Sequence, residues 1–466
     1  MKNFKSSVYP ILLLYVILAG VTIFYYDGTG GSGDSIMHFL FAKYAPQHPA
    51  LYFDHWAKPV FVLLASPFAQ FGFNGMKVFN ALCVLLTIYF TYRICEKMKY
   101  LNSYAVAIFL VFSPMYFILT FSGLTEPLFA LFLSLGIYLI VSGNYAAAII
   151  LISFLPFVRS EGLILLGVFG LYLLIRKKWK LIPLLSIGHI VYSIAGYFVY
   201  KDIFWVFHKI PYARLDAVYG RGELTHFAGQ LYYILGLPSL FLFISGFICI
   251  IRNIIKGTFS TRMLILVYGG FLSFFIAHSL FWYLGIFGSM GLTRVFICVI
   301  PLMTIIMLKG FNMWTEELFP KRKNILRYVQ IALIGYVMLF PFTKTHGAII
   351  PERDLTRSIE QNTSQEIQKF FNEQGITPKR IACVAPYLAM ELNFDPFDNA
   401  KHTDLNPENL KQMNSGDMII WDNHFALKDN KITRESISEN PAFENVFNTR
   451  ATENENTIEF AVFVKK

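Results

Sequence analysis

Ionisable side chains that could move protons or bind anions lie between the long apolar runs of this chain or at the ends of those runs. They are Asp34, His38, Asp54, His55, Lys58, Glu126, Arg159, Glu161, Arg214, Arg221 and Arg294. Carboxylates and histidines can act as general acids or bases, and lysine and arginine can bind anionic groups. If the apolar runs cross a membrane, this pattern predicts a cluster of acids and bases at one membrane face. Such a cluster suits chemistry between a lipid-borne group and a molecule at that surface.

Asp34 lies in the segment "GTGGSGDSIMH" at 28–38, directly after its glycine-rich first half. His38 lies one helical turn further on. The two side chains would face the same way on a helix. An aspartate before Ser35 is also a good N-cap for the helix predicted over "SIMHFLFAKY". Asp34 could therefore be a general base, a helix cap or both. His38 could contact a substrate or be an ordinary loop histidine.

The composition places these residues in a polytopic membrane protein. Of 466 residues, 55% are hydrophobic and 15% are charged, whereas soluble domains average about 25% charged residues. The net charge of +10 does not indicate nucleic acid binding, because the basic residues cluster in short loops between apolar runs, which is a topology signal. Five scattered cysteines without a CxxC motif predict neither a zinc site nor a disulfide framework.

About eleven apolar runs are predicted to span the membrane, since a span needs about 20 mostly apolar residues. They lie near 9–26, 76–94, 102–121, 126–142, 145–158, 162–176, 181–200, 230–251, 263–284, 294–309 and 325–342. The basic loops "MKNFK", "RICEKMKY", "RKKWK", "IRNIIKGTFSTR" and "PKRK" then share one face, which the positive-inside rule predicts to be cytoplasmic. The acids and bases, the long first outer loop (27–75) and the C-terminus lie on the other face. A bacterial inner membrane with a cytoplasmic N-terminus is the predicted location.

Two further segments complete the predicted organisation. The apolar stretch "KPVFVLLASPFAQFGF" within the first outer loop is short and contains two prolines, so we expect it to lie in the membrane surface. After residue 345 the charge rises and long apolar runs stop. "TRSIEQNTSQEIQKFFNEQG" predicts a helix, and "RIACVAPYLAMEL", "DMIIWDN" and "TIEFAVFVKK" predict strands. The expected fold is a transmembrane domain (1–345) followed by a soluble extracytoplasmic α/β domain (346–466).

Four segments resemble the GT-C superfamily of membrane glycosyltransferases, which take a sugar from a polyprenyl-phosphate carrier. They are "GDSIMH", "FDHWAKPVFVLLASPF", "SGLTEPLFALFLSLGIYL" and "FVRSEGLILLGVFGLYLL". The last two are similar to the "TEPLF" and "RPEG" segments of mannosyltransferase-like members, with Ser160 where those members have proline. The likeness covers roughly residues 5–180. Many members carry two neighbouring acids in the first loop, but here Asp34 is followed by Ser35, so a second acid would come from Asp54 or Glu126.

The resemblance implies transfer of a monosaccharide, such as mannose, to a lipid, lipid-linked glycan or protein acceptor at the outer face. Asp34 would be the general base, and one base with in-line attack implies inversion. Gly30, Gly31 and Gly33 would let the backbone turn tightly and approach the sugar. Because the donor phosphodiester carries one charge, arginine and lysine could hold it without a metal. The expected partners are therefore the donor, the acceptor and membrane lipids, with no nucleic acid and no cofactor.

The remaining candidates for substrate binding each have a structural alternative. They are His38, Asp54, Lys58, Glu126, Arg159, Glu161 and Arg294. Glu126 also suits a helix start, where the dipole favours an acid. Arg159 and Glu161 could be an interfacial pair, and Arg294 and Lys58 could anchor to lipid headgroups. The histidines of the first loop match no strong metal motif.

Two other classes of function stay open at this level. A lipid-glycan flippase would need a polar path through the helices, and the predicted spans contain few charges. A non-enzymatic assembly protein would leave the acids and bases at one face unexplained.

Overall fold

The computed structural model describes residues 8–30, 33–213, 215–217, 219–317, 323–453 and 456–466, without the side chains of residues 317, 323 and 324. The predictions for the basic loops "MKNFK" and "PKRK" fall wholly or mainly outside the described residues, as do those for Gly31 and Arg214.

The described residues between 8 and 345 are mainly helical. The helices are α1 Tyr9–Tyr25, α2 Gly33–Tyr44, α3 Pro59–Ala69, α4 Phe73–Lys97, α5 Ala105–Val111, α6 Pro114–Thr120, α7 Glu126–Val141, α8 Tyr145–Ser153, α9 Gly162–Ile175, α10 Ile187–Tyr200, α11 Trp205–His208, α12 His226–Leu235, α13 Leu237–Ile255, α14 Gly270–Leu284, α15 Ile300–Asn312 and α16 Lys323–Leu339. A π-helical turn at Met263–Gly269 leads into α14, and a 3₁₀ helix at Thr293–Val299 leads into α15. Helices satisfy their backbone polar groups internally, as a lipid environment requires.

Among the described residues, six helices are long and apolar enough to cross a membrane, which makes this an integral membrane protein. They are Phe73–Lys97, Trp179–Tyr200, Leu237–Ile255, Met263–Leu284, Thr293–Glu316 and Ile325–Phe342. In the fifth of these, which contains α15, 94% of the most apolar window is buried inside the protein. This helix is therefore the centre of the bundle, and it carries Arg294 at one end.

The predicted number of about eleven spans is not confirmed. The run at 102–121 is divided into α5 and α6, because Pro114 begins a new helix after Ser113. The run at 145–158 contains α8, whose 9 residues rise only about 14 Å. The stretch predicted to lie in the membrane surface contains α3, an 11-residue helix that is too short to cross.

The C-terminal region, residues 346–466, contains a five-stranded sheet of order β2-β1-β3-β5-β4. Its strands are β1 Ile381–Cys383, β2 His402–Asp404, β3 Met418–Asp422, β4 Phe443–Glu453 and β5 Asn456–Lys465. Strands β2, β1 and β3 run parallel, and β5 pairs antiparallel with both β3 and β4. The helices of this region are α17 Pro351–Asp354, α18 Ile359–Glu373, α19 Pro386–Glu391, α20 Pro407–Lys411 and α21 Arg434–Ser438. The strand predicted over "RIACVAPYLAMEL" stops after β1, because Pro386 begins α19.

The C-terminal region packs on the first loop through α2 and the residues that follow it. The Lys43 ammonium donates to the Asn393 side-chain oxygen at 2.8 Å, and the Tyr44 hydroxyl donates to a backbone carbonyl at 3.0 Å. The His48 ring lies 2.7 Å from the Asp395 carboxylate. Before α2, the Thr29 hydroxyl donates to Gln361 at 3.0 Å. The glycine-rich turn and α2 are thus held between the helical bundle and the C-terminal region.

Candidate active site

Asp34 lies in the first turn of α2, which begins at Gly33, so it is inside the helix and not at the capping position before it. The turn that leads to it needs glycine for contacts with the protein itself. Gly30 has φ +79°, and a Cβ there would lie 2.7 Å from the Ser122 Cβ. A Cβ on Gly28 would overlap the Thr356 carbonyl oxygen. The close approaches at Gly28 and Gly30 therefore seat the turn against other protein segments. The approach of Gly30, Gly31 and Gly33 to a sugar stays a prediction.

A chain of ion pairs begins at Asp34. Its carboxylate pairs with the Arg294 guanidinium, and the Arg294 Nε lies 3.5 Å from Glu126 Oε1. The same Glu126 oxygen lies 2.9 Å from Arg159 Nη1. Arg159 Nη2 in turn lies 2.7 Å from Glu161 Oε1. Four of the predicted site residues, together with Asp34, are thus brought into one connected cluster.

Glu126 is the centre of this cluster and is fully buried. It is the first residue of α7, where Pro127 fits the helix start. Its Oε2 has no hydrogen-bond partner among the described residues. Because a buried charge is costly unless it is paired, the two arginines are what make a carboxylate tolerable here. Glu126 thus links Arg159 and Arg294 in the interior of the site.

The three carboxylates differ in their access to solvent. The exposed fraction of the side chain is 44% for Asp34, 18% for Glu161 and 0% for Glu126. Burial would raise the pKa of Glu161, but the adjacent Arg159 outweighs this effect and lowers that pKa to about 2. Asp34 is therefore the carboxylate that a second substrate can reach.

Lys58 lies beside the cluster and is buried. It is the residue before α3 and has φ +72°, a strained conformation for a side chain other than glycine. Its ammonium donates to the Ser160 hydroxyl at 2.8 Å. Burial lowers the pKa of Lys58 to about 8, partly offset by Glu161. Lys58, Arg159 and Arg294 balance Asp34, Glu126 and Glu161, so the six side chains sum to zero formal charge.

His38 is buried one turn after Asp34, and its ring stacks on Trp56 with centroids 4.9 Å apart. Burial lowers the pKa of His38 below its usual value of 6.5, although Asp34 opposes this shift. The imidazole is therefore neutral at pH 7. Its Nδ1 has no hydrogen-bond partner among the described residues. The Trp56 indole donates to the Tyr212 hydroxyl at 3.0 Å.

Asp54 and His55 do not join the ion-pair chain. Asp54 Oδ1 accepts hydrogen bonds from the backbone N–H groups of Trp56 and Ala57, at 2.9 and 2.7 Å. This carboxylate therefore shapes the loop that carries Lys58. The His55 ring bonds the Val206 carbonyl at 3.1 Å. Of the two second acids suggested by the sequence, the structure places Glu126 in the cluster and Asp54 outside it.

Several residues at the site were not predicted from the sequence. Ser160 binds Lys58, and the Thr125 hydroxyl accepts a hydrogen bond from Arg159 at 3.0 Å. Ser160 lies in the segment "FVRSEG" and Thr125 in "SGLTEP". Their position in these two segments is the one sequence signal that could have identified them. The C-terminal region lies against the start of α2, since a Cβ on Gly33 would lie 3.3 Å from Phe425 and 3.5 Å from Pro386. Only the fold reveals this contact.

The described residues contain no group of three or more histidine, cysteine, aspartate or glutamate side chains that could hold a metal ion. The cations of the site are Lys58, Arg159 and Arg294. Together they can bind an anionic group, while Asp34 can accept a proton.

No protein-family model and no curated protein matches the sequence. Among the solved structures that do match are two of ArnT. One is the crystal structure of ArnT from Cupriavidus metallidurans bound to undecaprenyl phosphate, with a TM-score of 0.61 and 11% identity. The other is the same protein in the apo state, with a TM-score of 0.63 and 11% identity. Each match covers 96% of this chain and 97% of ArnT. The chain therefore has the fold of ArnT, and the family resemblance found in the sequence is confirmed at the level of the fold.

Proposed function

We propose that this protein is a membrane glycosyltransferase that moves a monosaccharide from a polyprenyl-phosphate donor to an acceptor at the membrane surface. The observation that carries the proposal is the ion-pair chain from Asp34 through Arg294, Glu126 and Arg159 to Glu161. It lies at the ends of apolar helices in a chain with the fold of ArnT. The ArnT structure holds undecaprenyl phosphate, and a phosphate of this kind would meet three cations here.

The cations explain how a donor phosphate would be held. A phosphodiester carries one negative charge and offers several acceptor oxygens, which a guanidinium fork and an ammonium can bind. Lys58 would exchange its hydrogen bond to the neutral Ser160 hydroxyl for one to a charged phosphate oxygen. We propose that no metal is needed, because the guanidinium and ammonium groups of Arg159, Arg294 and Lys58 supply hydrogen-bond donors for the phosphate oxygens.

Asp34 is proposed as the general base. The acceptor hydroxyl oxygen forms a bond to the anomeric carbon as the bond between that carbon and the phosphate oxygen breaks. The phosphate leaves with the bonding electrons, and Asp34 takes the hydroxyl proton. With a single base and in-line attack, the anomeric configuration inverts. The 44% exposure of Asp34 leaves it open to the acceptor.

The finer assignment follows from the resemblance of "SGLTEP" and "FVRSEG" to mannosyltransferase-like segments. We propose mannose as the sugar and a lipid, lipid-linked glycan or protein as the acceptor. The site would face the periplasm, because the basic loops "RICEKMKY" and "RKKWK" lie at the opposite ends of the apolar runs.

The test uses the purified full chain in nanodiscs with radiolabelled polyprenyl-phosphate mannose or glucose and a membrane-lipid extract. We expect transfer by the wild type and a loss of about 10²–10⁴-fold in Asp34→Asn, the range for removing a general base. Asp202→Asn is the matched control, since Asp202 pairs with His208 outside the cluster. It should retain wild-type activity, and transfer should survive EDTA.

Two results would overturn parts of the proposal. Transfer that persists in a folded Asp34→Asn would show that Asp34 is not the base, and the protein would still be a glycosyltransferase. The absence of turnover with any donor, together with passage of an unmodified lipid-linked glycan across proteoliposomes, would replace transfer with a flippase function.

A further inference from the structure

A cavity of about 160 Å³ lies away from the candidate active site, where the loop after α13 meets α15. Its polar lining consists of Tyr100, Asn253, Thr258, Ser260, Tyr268 and Lys309. Lys309 follows Arg294 by 15 residues in one continuous helical stretch, which is about 22 Å of rise. The cavity is thus at the membrane face opposite Asp34, in the region of the basic loop "IRNIIKGTFSTR".

Lys309 gives the cavity a positive charge without a matching carboxylate. Its Nζ lies 3.5 Å from the centroid of the Tyr100 ring. No ion pair or hydrogen bond of this ammonium appears in the described part of the chain. A cation–π contact attracts a lysine to the face of the ring but does not neutralise its charge. A half-buried lysine that faces a cavity without a counter-ion favours an anionic ligand.

The other groups of the lining suit a phosphate. Thr258 and Ser260 are exposed at the mouth of the cavity and can donate hydroxyl hydrogen bonds. The helix that leads to α14 begins at residue 261, next to Ser260, and its first-turn N–H groups add donors for an anion. The volume is about that of an engineered protein cavity that holds benzene, which is ample for a phosphate group.

An apolar surface continues from the cavity. Ile251 and Ile255 on the last turns of α13 are 57% and 80% exposed. Phe259, which lines the cavity, is 43% exposed. Exposed apolar side chains beside a basic cavity at a membrane face are the arrangement that binds a lipid through its acyl chains and its headgroup.

We propose that this cavity binds a phosphate group, carried by an anionic lipid headgroup or present as free phosphate, with Lys309 as its counter-ion. The site is independent of the proposed transfer reaction, because it lies at the opposite face and shares no residue with the ion-pair chain.

Native mass spectrometry of the full chain in a non-ionic detergent tests the proposal, with phosphatidylglycerol and phosphatidylcholine of identical acyl chains as probes. We expect phosphatidylglycerol to bind about tenfold more tightly, and Lys309→Gln to abolish that difference. Lys256→Gln is the matched control, because Lys256 is exposed on the same loop and does not line the cavity. Ser260→Trp, at an exposed position, should block the mouth and weaken binding without a risk to folding.

The outcomes separate the two sources of phosphate. If inorganic phosphate stabilises the wild type against heat but does not stabilise Lys309→Gln, and the protein does not prefer phosphatidylglycerol to phosphatidylcholine, the ligand is free phosphate. If both lipids bind equally and phosphate has no effect, the proposal is wrong. It is also wrong if folded Lys309→Gln and Ser260→Trp keep the preference for phosphatidylglycerol.

Discussion

Ser160 stands where the resembling "RPEG" segments have proline, and its contact with Lys58 gives a reason for the difference. Its hydroxyl accepts a hydrogen bond from the buried Lys58 ammonium at 2.8 Å. A proline, which resembling proteins have at this position, could not accept that bond through its side chain. An ammonium left unsatisfied in a buried site costs about 1–3 kcal/mol or more. Serine at this position therefore stabilises the buried lysine. In the proposed reaction, Lys58 exchanges this hydrogen bond for one to the donor phosphate.

The pH dependence of donor binding should follow Lys58. Burial lowers the pKa of Lys58 to about 8, so the ammonium is charged below that pH and neutral above it. We expect the KM for the donor to be constant below about pH 8 and to rise above it. Lys58→Gln should raise KM about tenfold at pH 7, the lower end for loss of a charge-assisted hydrogen bond, and should remove the rise.

Donor KM measured between pH 6.5 and 9.5 checks this prediction. Lys201→Gln is the control, because Lys201 is exposed and lies outside the cluster. A wild-type KM that stays flat through pH 9 would contradict a role for the Lys58 charge in donor binding.

At the scale of elements, the packing of α13 against α15 decides where Arg294 lies. A Cβ on Gly246 of α13 would overlap the Ile306 carbonyl oxygen, and one on Gly310 of α15 would overlap the Leu242 carbonyl oxygen. Lipid provides no hydrophobic force between membrane helices, so they associate through close packing. Small residues at the interface allow that close approach. The 3₁₀ helix before α15 then brings Arg294 to Asp34 and Glu126.

Gly246→Ala should therefore lower both thermal stability and activity, since the added methyl group forces the backbones of α13 and α15 apart. Gly335→Ala is the matched control in α16, where a Cβ meets nothing within 4 Å. That change should be neutral or stabilising by up to about 1 kcal/mol through helix propensity. The melting temperature of each variant is measured by heating it in detergent and detecting the protein that stays folded by size-exclusion chromatography. Equal melting temperatures would show that the helices tolerate a wider spacing.

At the scale of the whole molecule, the C-terminal region holds the segment that carries Asp34. It contacts the glycine-rich turn through Thr29 and Gln361 and the helix after it through Lys43 and Asn393. Phe397 packs on Phe41 of α2, with ring centroids 4.8 Å apart. Because α2 has only 12 residues, such contacts, more than helix propensity, stabilise it. The C-terminal region thus stabilises the segment that carries Asp34.

Phe397→Ala should loosen α2 without unfolding the bundle. We expect a loss of about 2 kcal/mol, below the range for a fully buried phenylalanine, and faster hydrogen exchange over residues 33–44. Turnover should fall as Asp34 loses its fixed position. The control is Phe447→Ala, which removes a stacking contact with Phe370 inside the C-terminal region, at 4.4 Å. Unchanged exchange over α2 in Phe397→Ala would mean that the bundle alone orders this helix.

The sequence alone predicts what depends on local composition. Apolar runs identify a membrane protein, Glu126–Pro127 marks the start of α7, and the scarcity of charge within the runs places the acids and bases at their ends. The same analysis predicts about eleven spans because it counts apolar length, and it cannot detect that Pro114 divides one run into two helices.

The tertiary structure alone decides which charges meet. Asp34 and Arg294 are separated by 260 residues, and Arg159 and Thr125 by 34. Helical periodicity relates residues only a few positions apart, so no pattern in the chain relates these pairs. The turn before α2 and the 3₁₀ helix before α15 bring Asp34 and Arg294 together. A fully buried Glu126 between two arginines is therefore a property of the packing, whereas the presence of an acid at that helix start is a property of the sequence.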